Sequence, residues 1–285
     1  MNGFYNVYKT PDMTSSDVVV KLRGILRSRT GVRFKVGHLG TLDPLAEGVL
    51  PVAVGSATKL FNYMLDKRKR YLATFVWGET TDTLDRAGQV TATAERVEDV
   101  ERVSEAAIQQ VGRIMQTPPA YSAKSVDGAR AYQLARNGVE VALPPKEVTV
   151  YSIELVAHEA NAFSFVIECS AGTYIRAICR DMAASMGTVG YMSKLTRTQS
   201  GEFALSGAVT LAQIEEDICA GYVSLADFAA SLKCYNIDEQ YRKHVENGVV
   251  YPMQIDQSYA RIDVGGVPYA IGCTQEGVLK IICRL

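Results

Sequence analysis

The stretch Gly37-His38-Leu39-Gly40-Thr41-Leu42-Asp43-Pro44-Leu45-Ala46, running into the apolar segment Val49-Leu50-Pro51-Val52-Ala53-Val54, decides how this chain is read. Its glycines permit backbone angles that a side chain would forbid, and Pro44 removes the next backbone donor and stiffens the bend. That geometry can fix one carboxylate, Asp43, at the mouth of a buried strand. Leu-Asp-Pro alone is an ordinary turn opener. A histidine, a threonine and paired glycines within six residues make the same bend a candidate site.

Length and composition bound what that site can serve. At 285 residues the chain can bury a substantial core, and ~100 to 200 residues per domain gives one large domain or one large and one small. With 47% hydrophobic and 21% charged residues it reads as an ordinary soluble globular protein. No apolar run approaches the ~20 residues of a membrane span, and Met1-Asn2-Gly3 lacks the charged-then-apolar pattern of a signal peptide. A cytoplasmic location is expected by default. Six cysteines without a CxxC pair and three scattered histidines indicate neither zinc nor a disulfide framework.

Net charge is only −1, but it is unevenly spread: residues 1 to 75 hold twelve basic and five acidic groups, +7, which leaves −8 for the remainder. A local cationic excess beside the candidate site suits a phosphate backbone, whose attraction falls off within ~8 to 10 Å at physiological salt. The same run also fits a solvated helix face.

Local patterning supplies the elements. Phe4 to Tyr8 reads as a strand, and Thr14-Ser15-Ser16-Asp17 as a capping box opening a helix that buries Val18, Leu22, Ile25 and Leu26, shows Arg23 and Arg27, and stops at Gly31. Helices are expected over Ser56 to Leu65 and Val97 to Val111. The strand from Tyr71 to Glu79 alternates in a way that predicts cover on both faces. Lys124 to Pro145 reads as an excursion with a helix from Ala129 to Arg136. Strands follow at Val148 to Val156 and Phe163 to Cys169, then a helix with Thr173 as its cap and Ile175, Ile178, Cys179 and Met182 buried. Leu195 to Phe203 reads as a strand with a bulge or turn. After two short helices the texture changes near Cys234 to small β elements with turns at Gly265-Gly266 and Glu276-Gly277.

No Walker A loop, GxGxxG, HExxH or Gly-x-Ser-x-Gly elbow is present. What remains is a carboxylate, basic residues and tyrosines. A carboxylate can act as a covalent nucleophile, and a nearby arginine would hold it ionised. Glycoside hydrolysis would need a second cooperating carboxylate, and only Asp43 has a compelling setting.

Five segments in unbroken order, Gly37 to Ala46, Lys69-Arg70-Tyr71, Thr81-Asp82-Thr83-Leu84-Asp85, Pro118-Pro119-Ala120-Tyr121-Ser122-Ala123 and Gly172-Thr173-Tyr174-Ile175-Arg176, together resemble the TruB-type tRNA pseudouridine synthases. The resemblance covers roughly Lys9 to Phe203. It implies an α+β fold with a mixed, largely antiparallel sheet and flanking helices, a catalytic domain over 1–232 whose segment 124–145 is a mobile RNA-gripping insertion, and a small PUA-like module over 233–285. It implies isomerisation of the uridine conventionally numbered 55 in the TΨC loop of tRNA, without a cofactor, by a stand-alone monomer with tRNA as partner and no membrane. A non-catalytic tRNA-binding or folding protein that keeps the pocket is the alternative.

Carried over by motif, Asp43 matches the catalytic aspartate, Tyr71 the tyrosine that stacks on the target base and takes part in late proton removal, and Arg176 the arginine that pairs with the aspartate. Lys9, His38, Asp85, Tyr174 and Leu195 match residues that contact RNA or shape the pocket. Whether attack falls on the sugar or on the base ring stays open. Two departures stand out: Lys9-Thr10-Pro11-Asp12 replaces the usual Lys-Pro-x-Gly, and Leu195-Thr196-Arg197-Thr198 replaces Leu-Arg-Arg-Thr.

Overall fold

The structure, a computed structural model, describes residues 1–65, 67–121, 125–126, 129–130, 143–249 and 251–285. In chain order it begins with β1 (Gly3–Lys9), α1 (Ser15–Thr30), β2 (Val36–His38), β3 (Glu47–Val54), α2 (Phe61–Leu65), β4 (Lys69–Trp77), β5 (Glu79–Thr81) and β6 (Val90–Thr93). There follow α3 (Val100–Ile108), β7 (Gly112–Gln116), β8 (Ser125–Val126), β9 (Ala129–Arg130), β10 (Lys146–Glu159), β11 (Ala162–Cys169), α4 (Ile175–Ser185), β12 (Gly190–Ser200) and β13 (Phe203–Ala204). The chain continues through α5 (Leu211–Glu216), β14 (Tyr222–Ser224), α6 (Leu225–Ala230), β15 (Cys234–Ile237), α7 (Arg242–Glu246), β16 (Ala260–Val264), β17 (Val267–Gln275) and β18 (Val278–Arg284). Two compact units interleave along it: the first takes Met1–Pro44, Gly48–Lys67 and Glu202–Leu285, the second Leu45–Glu47 and Arg68–Gly201.

In the first unit β1 runs antiparallel to β3 from Gly3↔Val54 to Lys9↔Gly48, and β2 pairs with the other edge of β3, His38 opposite Val52. This register sets the far end of β1, Lys9, where the Asp43 turn enters β3. Helix α1 forms as the sequence predicts. Thr14 Oγ1 accepts from the Asp17 N–H at 3.0 Å while the Thr14 N–H donates to Asp17 Oδ2 at 2.9 Å, and the helix buries Ser15, Val18, Val19, Leu22 and Leu26. It ends at Gly31, whose φ of +71° a side chain would resist. Gly24, exposed in mid-helix, costs about 0.5–1 kcal/mol relative to alanine.

The expected helix over Ser56 to Leu65 is instead a 3₁₀ stretch, Gly55–Leu60, followed by α2. The Thr58 hydroxyl donates to the Gly55 carbonyl at 2.8 Å and tightens that turn. The C-terminal strands form a sheet in the order β15-β16-β17-β18, parallel only between β15 and β16. Its hairpin turns are the expected ones, with φ of +60° and +78° at Gly265-Gly266 and +54° and +78° at Glu276-Gly277, the left-handed pair that a two-residue hairpin demands. Tyr259, Ile271 and Cys283 of this region share one core with Phe4, Phe203 and Phe228, and the Phe4 and Phe228 rings lie 4.7 Å apart.

The second unit is an antiparallel sheet in the order β12-β4-β11-β10-β7. On one face Tyr71, Ala73, Phe75 and Trp77 of β4 meet Phe163, Phe165 and Ile167 of β11, with Phe75 and Phe165 centroids 5.3 Å apart. The other face of β4 is only partly covered, with Leu72 39% exposed and Thr74 and Val76 half-buried. This corrects the expectation of cover on both sides: the aromatic bulk sits on one face only, so a single layer completes the core. The helix beginning at Ile175 has Tyr174 at its cap position without a side-chain cap bond, and the Thr173 hydroxyl donates to the Ser170 carbonyl at 3.0 Å instead of capping. Strand β12 starts at Gly190, five residues before its expected start at Leu195. Ala129–Arg130 pairs with Ser125–Val126 as a short ladder instead of opening a helix. The rest of that expected helix, and most of the 124–145 insertion, lie outside the described residues.

Gly190 lies opposite Trp77 in the β12–β4 register, and a Cβ there would come within 2.6 Å of the indole ring. Trp77 is the only tryptophan, so tryptophan fluorescence reports on the surroundings of this one side chain, which include Gly190, Phe75 and Phe163. Gly190→Ala is expected to destabilise the protein by about 1–3 kcal/mol by overpacking, measured by urea unfolding, with a shift in native tryptophan emission. Unchanged emission and stability would contradict this packing.

Candidate active site

Asp43 is held through the residues on either side of it. Leu42 is buried, and the hydroxyl of Ser15, in the first turn of α1, accepts from the Leu42 N–H at 2.8 Å and donates to the Leu42 carbonyl at 3.1 Å. On the far side the Pro44 carbonyl accepts from Lys9 Nζ at 3.0 Å and from the Asp12 N–H at 2.9 Å. Lys9 Nζ also donates to the Thr10 carbonyl at 2.9 Å. Asp43, half-buried, is thus suspended between two clasped peptide units.

Sequence reasoning missed Ser15, although a hydroxyl on the buried stripe of a helix has to find partners. It also places Lys9 among the residues that touch RNA. The structure instead leaves Lys9 1% exposed, its ammonium turned onto the carbonyls of the turn. His38, half-buried, closes β2.

Arg176, Tyr71, Asp85, Tyr174 and Leu195 belong to the second unit. Arg176 sits at the second position of α4, where the helix dipole disfavours a cation. Its guanidinium donates to the Thr83 carbonyl at 2.8 Å and the Tyr121 carbonyl at 3.0 Å, and lies 3.4 Å from Asp85 Oδ2. Both members of this ion pair are buried. Asp85 Oδ1 in turn accepts from the Thr83 hydroxyl at 2.7 Å and the Ala87 N–H at 3.0 Å. Asp85, expected among the RNA contacts, is 4% exposed and faces Arg176. Between them Leu84 adopts φ +61°, a left-handed conformation that is strained for a bulky side chain. That strain persists because Leu84 donates to the Thr81 carbonyl at 3.1 Å and accepts from the Met192 N–H at 3.0 Å.

Tyr174 is positioned by a residue the sequence did not single out. The Gln116 side chain accepts from its N–H at 2.8 Å and donates to its carbonyl at 3.2 Å. Register groups another set: Tyr71 lies between Ile167 on β11 and Arg197 on β12, and Leu195 is two residues from Arg197 on the same strand face. Arg197 is fully buried. The sequence marks its segment but assigns a role only to Leu195. No three His, Cys, Asp or Glu side chains among the described residues cluster as metal ligands would, and no described helix is long and apolar enough to cross a membrane.

The buried pair sets a stability test. Removing one member strands the other charge out of water, so Asp85→Ala is expected to lower unfolding free energy by about 3–5 kcal/mol in a denaturant titration. A change below 1 kcal/mol would show that Arg176 does not depend on Asp85 for its burial.

Comparison with known proteins adds sequence-wide evidence. Residues 26–175 match the TruB family pseudouridylate synthase N-terminal domain, and residues 176–246 the tRNA pseudouridylate synthase B C-terminal domain. The tRNA pseudouridine synthase B of Clostridium kluyveri is 39% identical over 252 residues, 87% of this chain and 85% of that protein. Its counterpart from Anaplasma marginale is 40% identical over 288 residues, covering 94% and 92%. A chain of the solved Cbf5-Nop10-Gar1 complex superposes with a TM-score of 0.72 at 23% identity, over 99% of this chain and 83% of that one, a likeness of fold. With one family pattern covering more than half of its length and a second following directly, the chain belongs to the TruB family of pseudouridylate synthases.

Proposed function

We propose that this protein isomerises uridine to pseudouridine in tRNA, at the TΨC-loop position conventionally numbered 55, with Asp43 as nucleophile and without a cofactor. The carrying observation is the doubly clasped turn: Ser15 on Leu42 and Lys9 on Pro44 leave Asp43 little freedom to lose when it reacts. A reacting group held in place before substrate arrives lowers the barrier by entropy already spent in folding.

A uridine in a folded loop has to be extruded at a few kcal/mol of unstacking. Tyr71 is the proposed platform for the flipped base, and stacking returns about 1–3 kcal/mol per base. Arg176 is proposed to keep the Asp43 carboxylate ionised by charge pairing. The carboxylate bonds to the nucleotide, the bond between N1 and the sugar breaks, the base turns and rejoins through C5, and the bond to Asp43 breaks with its electron pair returning to the carboxylate. The C5 proton then leaves, with Tyr71 as its proposed acceptor, and N1 regains a proton. Atoms and electrons balance within the nucleoside, so no redox or group-transfer partner enters.

Tyr174 and Leu195 are proposed to shape the pocket, with His38 contacting the loop nucleotides. Residues 233–285 are proposed to act as a PUA-like module, and the protein to work as a monomer.

Asp43→Asn preserves shape and removes the charge. Pseudouridine formation in an unmodified tRNA transcript is expected to fall by about a thousandfold or more, the scale of nucleophile removal, while tRNA binding by gel shift is largely kept. Retained activity would refute the role of Asp43. Absence of activity in the unmutated protein as well would favour a pure RNA binder.

A further inference from the structure

Between Asp17 and Asp43 the chain carries six cations, Lys21, Arg23, Arg27, Arg29, Arg33 and Lys35, and not one carboxylate. Helix α1 places Arg23 and Arg27 one turn apart on its solvent side, where like charges repel. The C-terminal end of a helix dipole favours Arg27 and Arg29. Arg29 is further engaged by the carbonyls of Glu215 and Glu216 on α5, at 2.5 and 2.8 Å. Neither effect accounts for Arg23, whereas Lys21 lies one turn from Asp17 and interacts with its carboxylate. Glu215 and Glu216 of α5 line a shallow cleft with Ile25, Ser28 and Arg29, on a flank of the helix that does not include Arg23. Asp17, at the helix start, is tied to Thr14.

Gly24 lies between the two arginines on this face. A Cβ added there meets no atom of the described residues within 4 Å, so no close approach by a described residue calls for a helix-weakening glycine at this position. Val20, one turn earlier, is 58% exposed. A bare strip of helix backbone between two guanidinium groups fits a partner that is anionic and approaches closely.

We propose that the Val20-Arg23-Gly24-Arg27 face of α1, continued by Arg33 and Lys35, is a docking surface for the sugar-phosphate backbone of tRNA. This rests on the function proposed above. Arg23 and Arg27 bind phosphates by paired N–H donors, Gly24 lets the backbone settle between them, and Val20 packs against a ribose. Charge complementarity selects RNA, because the face offers cations and no acceptor side chains.

The test measures binding of an unmodified full-length tRNA transcript across a salt series. Arg23→Gln/Arg27→Gln is expected to lose about tenfold or more in affinity at low salt, with the slope of log affinity against log salt reduced by about two, since each phosphate contact contributes ~0.9. Gly24→Leu separates docking from folding. It is expected to raise the melting temperature of the free protein, because leucine favours the helix, and at the same time to weaken tRNA binding. Wild-type affinity and salt slope in both variants would overturn the proposal, and an acidic protein would then be the occupant to seek. If the wild-type protein itself neither bound tRNA nor made pseudouridine, the functional reading would fall with it. If it did both while the variants bound normally, only the docking surface would fall.

Discussion

The Ser15 hydroxyl and the Lys9 ammonium are both directed at the backbone that flanks Asp43, and the candidate site depends on that arrangement. A surface turn ordinarily leaves its peptide groups to water and its side chain free to reorient. Here the peptide on one side is closed by a hydroxyl that donates and accepts at once, and the carbonyl on the other side takes a charge-assisted bond from a buried lysine. Burying an ammonium is costly unless its donors are used, and the turn presents two carbonyls to Lys9. The fold stabilises the turn and the turn satisfies the lysine.

The second unit treats a cation in the same way. Arg176 at a helix start opposes the dipole, and a strained loop over Thr83, Leu84 and Asp85 supplies the carbonyl and carboxylate that compensate. Left-handed strain at Leu84 is held by backbone bonds from Thr81 and Met192. Such strain commonly marks functional sites, where surrounding structure over-determines an unfavourable conformation. Gln116 does for the Tyr174 backbone what Ser15 does for Leu42. In each case a neutral polar side chain orients the segment that carries a site residue.

What the sequence made legible was local chemistry. The capping box at Thr14 and Asp17, the stop at Gly31 and the glycine hairpins at Gly265-Gly266 and Glu276-Gly277 depend on residues a few positions apart. The alternation in β11 reads its buried face directly. The features that escaped are long-range. Ser15 meets Leu42 across 27 residues, and Gln116 meets Tyr174 across 58. The burial of Arg197 follows from strand register, and Lys9 and Asp85 are withdrawn from solvent by partners no periodicity reveals. The motifs mark the candidate residues by type and position; the partners that hold Lys9, Asp85 and Tyr174 required the fold.

The central claim is that one rigidly mounted carboxylate converts a single uridine in a folded RNA. It is tested most directly by incubating the purified protein with an unmodified tRNA transcript and mapping pseudouridine nucleotide by nucleotide with mass spectrometry. The account predicts one new pseudouridine, in the TΨC loop, appearing without added metal or cofactor. A map with no pseudouridine, or with pseudouridines scattered over the tRNA and none in that loop, would contradict it.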